Sequence, residues 1–72
     1  MEPADRLVML GKKQLEDEDY NEALHSFEQA ILLNQKDPDL WNLKGIALRS
    51  LGHYEEAIEC FNKSLEIDPR DR

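Results

Sequence analysis

Residues 39–69 read DLWNLKGIALRSLGHYEEAIECFNKSLEIDP, and this stretch decides the fold. Its large and small residues stand at fixed places: Trp41, Gly45, Leu48, Gly52, Tyr54, Ala57, Phe61 and Pro69. Apolar side chains recur at helical spacing on both sides of Gly52. Small Gly45 and Ala57 let two antiparallel helices approach closely, while Trp41, Leu48, Tyr54 and Phe61 fill the space around that contact. Gly52 accepts the left-handed backbone of a tight helix-ending turn, and Pro69 forbids continuation of the second helix. One helical hairpin is thereby specified.

The same skeleton stands 34 residues earlier, where Gly11 matches Gly45, Tyr20 matches Tyr54, Ala23 matches Ala57 and Phe27 matches Phe61. Glu22 and Glu56 coincide as well. On these residues and this period the chain resembles the tetratricopeptide repeat, a helix-turn-helix unit of about 34 residues. The resemblance implies an all-α fold of two tandem hairpins, four antiparallel helices in a short right-handed superhelical stack. It sets one domain over residues 1–72, with repeat 1 at about 4–37 and repeat 2 at about 38–71. Repeats of this kind usually need about three copies, because each offers an apolar face to the next. Two copies are therefore expected to be a piece of a longer array, or a module completed by association.

The first helix is expected over about Ala4 to Asp17, with Leu7, Leu10 and Gly11 on one face. The acidic run Glu16–Asp19 follows, and acids suit the start of the second helix better than the end of the first. Glu18 holds the place that Gly52 takes in the second hairpin. A left-handed conformation there costs a non-glycine residue about 1–2 kcal/mol, so the first turn is expected to be the looser one. The second helix spans about Tyr20 to Asn34, with Ala23, Leu24, Phe27, Ala30 and Ile31 as its apolar stripe. Asp37 followed by Pro38 opens the third, the first as a capping oxygen and the second as a ring with its backbone angle preset. That helix carries apolar residues on two sides, as expected of an inner element with neighbours on both. The fourth runs from about Tyr54 to Asp68, and part of its packing surface is expected to be uncovered.

Sixteen acidic against nine basic residues give a net charge of -7, which repels nucleic acid and anionic membrane surfaces. No apolar run has the length of a signal or membrane-spanning segment. The lone Cys60 cannot form an internal disulfide, so an intracellular, cytoplasmic location is the default.

Catalytic constellations are lacking. Cys60 would need a base within reach and a lowered pKa to act as a nucleophile, and His25 and His53 lie on different elements without zinc-ligand spacing. The Glu16–Asp19 run lacks the alternating ligands and internal glycine of a calcium loop. The three glycines have the spacing of helix packing and termination, not of a phosphate-cradling loop. No enzyme, metal site or cofactor is expected.

What remains is a surface for another protein or peptide. In arrays that this chain resembles, the first helix of each repeat lines a concave groove, and the matching positions here are Asp5, Val8, Met9, Lys12, Asn42, Leu43, Ile46 and Arg49. Met9, Leu43 and Ile46 would take an apolar side chain, Asn42 a backbone group, and Lys12 with Arg49 a carboxylate. Some relatives clamp the acidic C-termini of heat-shock chaperones with lysine and asparagine, but the corresponding places hold Val8, Lys12 and Leu43, so that clamp is not implied. The alternative is a structural role in which Ile58, Cys60, Phe61 and Leu65 form a stacking or self-association face, giving a weak homo-oligomer.

Overall fold

The computed structural model describes residues 2–69. Four helices follow one another: α1 (Pro3–Glu16), α2 (Tyr20–Leu33), α3 (Pro38–Ser50) and α4 (Tyr54–Ile67). Each packs against the next in sequence, giving a slab of 33 × 31 × 20 Å. Among the described residues there is no strand.

The helix ends follow the expected signals. Asp37 caps α3 through its Oδ1, which accepts a hydrogen bond from the Asp39 backbone N–H at 3.0 Å, and Pro38 takes the first helical position. Both hairpin turns close in one way. The Asp19 N–H donates to the Gln14 carbonyl at 2.8 Å and the His53 N–H to the Leu48 carbonyl at 2.9 Å, the long-range bond of a Schellman turn. Shorter bonds accompany them, Glu18 N–H to Leu15 O and Gly52 N–H to Arg49 O. Gly52 takes φ +86° and Glu18 takes φ +64°. The expected strain at Glu18 is therefore present, but the expected looseness is not: the glutamate is held in the left-handed region by the same bonds that hold the glycine.

Close helix approach rests on the two helical glycines. A Cβ at Gly11 would stand 2.5 Å from a ring carbon of Phe27, and one at Gly45 would stand 2.5 Å from the same atom of Phe61. Each phenylalanine ring thus sits directly against a stretch of bare backbone. Around these contacts Ala23, Phe27 and Ala47 form one buried cluster, Ala30, Ile31 and Leu40 a second, and Leu48, Ala57 and Cys60 a third. The first two join α2 to α3 and the third joins α3 to α4, so α3 is the central helix, apolar on two sides as its composition requires.

The two hairpins differ in one internal pair. In the first, the Ser26 hydroxyl donates to Gln14 Oε1 at 2.6 Å. The equivalent places in the second hold Cys60 and Leu48, which pack without a hydrogen bond. Gln14 is tolerated in an apolar position because Ser26 faces it, which satisfies a polar group that would otherwise be costly to bury.

Candidate functional site

Of the residues expected to line a groove on α1 and α3, Val8 and Leu43 are half-buried and pack onto the buried clusters. Asn42 and Ile46 are also half-buried, while Asp5, Met9, Lys12 and Arg49 are exposed. Met9 is 59% exposed. Lys12 and Arg49 enter no ion pair among the described residues, so both cations remain available to an incoming acid.

The four residues expected to form a stacking face are divided by the structure. Ile58 and Leu65 point outward, at 56% and 51% exposed, but Cys60 is 5% exposed inside the third cluster. Phe61 is half-buried over Gly45. Cys60 must be removed from that face: it lies two residues from Ile58, on the opposite side of the helix, and shares the inner side with Ala57 and Ser64. Burial pushes its thiol up from its ordinary pKa, against a smaller opposing pull from Lys44 and with Glu59, Glu56 and Glu28 adding to the rise. The thiol is thus held protonated and shielded, the reverse of what a nucleophile needs.

Tyr54, at 64% exposed, takes its place in the outward stripe. Tyr54, Ile58, Phe61 and Leu65 correspond, 34 residues on, to Tyr20, Leu24, Phe27 and Ile31. In α2 that stripe lies under α3: Phe27 is 0% and Ile31 7% exposed. The same chemistry is thus covered once and open once. The 34-residue repeat contained this signal, through comparison of the two stripes position by position.

Trp41 was legible in the sequence only as a packing residue, yet three adjoining hollows meet at its ring. One is bounded by Glu28, Gln29, Leu32 and Lys44, one by Glu59, Cys60 and Lys63, and one by Gln35, Lys36, Lys63 and Ile67. The indole N–H donates to the Gln35 carbonyl at 2.9 Å, which fixes the ring. The ammonium groups of Lys44 and Lys63 lie over it at 5.6 and 5.9 Å from its centre. No single sequence feature marks this place, because it is assembled from three separate segments.

Among the described residues no group of three His, Cys, Asp or Glu side chains is placed to hold a metal ion, and no helix is long and apolar enough to cross a membrane.

Two family models described as tetratricopeptide repeat match the chain, one over residues 4–37 and one over 38–71. The chain is 48% identical over 50 residues to an uncharacterised protein of Methanocaldococcus jannaschii, a match covering 69% of this chain and 58% of that one. It is 31% identical over 52 residues to the peroxisomal targeting signal receptor of Saccharomyces cerevisiae, covering 72% of this chain and 8% of the receptor. With the Hsp70-Hsp90 organising protein of Plasmodium falciparum it shares 42% identity over 67 residues, 92% of this chain and 26% of that protein. The chain thus spans less than two thirds of the length of each of these relatives.

Proposed function

Because the chain belongs to the tetratricopeptide repeat family, a family of protein-interaction modules, we propose that it is a non-catalytic module binding a polypeptide segment in the groove of α1 and α3. The observation that carries this reading is the combination of Lys12 and Arg49, without an ion pair among the described residues, with exposed Met9 and half-buried Ile46 on those two helices. The receptor for a targeting signal and the organiser of two chaperones have protein partners by name, which supports the class of ligand. Apolar side chains of the ligand would bury surface on Met9 and Ile46 at about 25 cal/mol per Å². Lys12 and Arg49 would set its direction through a carboxylate. The same reading takes the chain as part of a longer, cytoplasmic array that avoids nucleic acid because of its net negative charge. The test is the double change Lys12→Ala with Arg49→Ala against ligands selected from a peptide library. Two exposed charge contacts are together worth about 1–1.5 kcal/mol, or about tenfold in affinity. Unchanged affinity for every selected ligand would refute the groove.

A second reading is favoured by the open stripe on α4. We propose that Tyr54, Ile58, Phe61 and Leu65 receive a helix resembling α3, whose Leu40, Leu43 and Ala47 meet the equivalent stripe of α2. The first helix of another copy suits this poorly, since the counterparts of Leu40 and Ala47 on α1 are Arg6 and Lys13. A neighbouring repeat with an α3-like helix suits it better. Extending the chain with a copy of residues 38–50 should protect Tyr54 and Ile58 amides from hydrogen exchange and raise the unfolding midpoint; no change in either would count against stacking.

A further inference from the structure

We propose that the hollow bounded by Gln35, Lys36, Trp41, Lys63 and Ile67 binds an acidic peptide segment in which an apolar side chain stands beside a carboxylate. The chain carries a net charge of -7, yet among the described residues the charged ones that line this hollow are both lysines. Lys36 enters no ion pair among the described residues, and Lys63 meets Glu66 only at 4.0 Å, longer than a hydrogen bond. Among the described residues, one cation is thus without an ion pair, and the other has a long one and lies over the Trp41 ring. The walls between them are apolar, the indole of Trp41 and the half-buried Ile67, and exposed Leu32 continues the apolar surface in the adjoining hollow. A volume of about 360 Å³ lies within the range of small binding pockets. A carboxylate placed between the two ammonium groups and an apolar group laid on the ring would each find a complement.

The place is distinct from the groove. At about 100° per residue, Trp41, Lys44 and Leu48 share one side of α3, while Asn42, Ile46 and Arg49 lie roughly a third of a turn away. The ring is also preset, because its N–H is already bonded to the Gln35 carbonyl. The Lys44 and Lys63 ammonium groups lie over the ring at 5.6 and 5.9 Å, so an incoming apolar group would turn them aside, toward the carboxylate beside it.

Trp41 is the only tryptophan of the chain and reports on the site directly. The 72-residue protein is titrated with acetyl-EELLEE-amide while indole emission and the indole N–H resonance are followed, and affinities are checked by calorimetry. A saturable change is expected. Lys36→Gln with Lys63→Gln should weaken binding about tenfold with the circular dichroism unchanged, and Lys36→Gln alone, in an exposed connection, serves if the pair fails to fold. Lys12→Gln with Arg49→Gln should leave the affinity within about twofold, which separates this site from the groove. Acetyl-EEGGEE-amide should bind at least about tenfold more weakly for want of the apolar contact, and acetyl-KKLLKK-amide should not bind. Absence of a saturable response overturns the proposal, as does equal binding by the Lys36 variant, equal binding of the glycine peptide, or loss of binding in the groove variant.

Discussion

Adding one methyl group at each helical glycine tests the contact on which the fold turns. An alanine Cβ at Gly11 would lie 2.5, 2.8 and 2.9 Å from three ring carbons of Phe27, and one at Gly45 would lie 2.5, 2.9 and 2.9 Å from those of Phe61. Ordinary contact begins near 3.5 Å, so each ring must retreat by about 1 Å. Overpacking of this kind costs about 1–3 kcal/mol, against which alanine gains about 1 kcal/mol over glycine inside a helix. The two sites differ in how far the ring can move. Phe27 is fully enclosed between α1 and α3, whereas Phe61 is half-buried on the open side of α4. Gly11→Ala should therefore lose about 2 kcal/mol and Gly45→Ala about 1 kcal/mol or less. For a chain of this length the larger loss lowers Tm by about 10–15 °C. Urea unfolding followed by circular dichroism and Trp41 emission measures both. A Phe61→Leu background should abolish the penalty at Gly45 and leave the helix gain, so a double-mutant cycle isolates the ring contact. Should both alanine variants gain about 1 kcal/mol, as at an uncrowded helix position, the packing argument fails.

The turns and the thiol give further expected outcomes. A Cβ at Gly52 meets nothing within 4 Å, so the effect of Gly52→Ala is a backbone effect alone, a loss of about 1 kcal/mol at φ +86°. Glu18→Gly should gain a few tenths to 1 kcal/mol by relieving φ +64° and thinning the acidic run, and a loss of stability in urea would refute the equivalence of the two turns. Cys60 should resist alkylation in the folded chain and react readily in denaturant. Since its folded pKa is raised, chiefly by burial, its contribution to stability is complete below the ordinary thiol value and is lost as pH climbs through the folded one. Stability of the wild type should fall faster than that of Cys60→Ala across this alkaline window, and parallel pH profiles would show that the thiol is not buried.

The acidic run Glu16–Asp19 is exposed, and the surface chemistry is unequal around the molecule. Lys36 and Lys63 share a hollow without a lining acid among the described residues, and Lys12 and Arg49 share the other candidate face. In a chain this acidic, these few exposed cations are where an anionic partner can approach without repulsion.

By itself the sequence determined the four helices, their order and the Asp37 cap of α3. Asp37–Pro38, Gly52 and Pro69 act through bonds and sterics within a few residues, and the 34-residue recurrence of Gly, Tyr, Ala and Phe encodes which backbone each ring must cover. Tertiary structure decided which apolar residues of α4 stay inside: Cys60 goes in and Ile58 stays out, although both suit a core. It also decided that Gln14 would find Ser26, and that Trp41 would gather three lysine-bearing segments around one ring. The reason is geometric. Helical periodicity tells which side chains share a face, but whether that face is covered depends on where a separate helix comes to rest, and that is settled only by the packing of the whole chain.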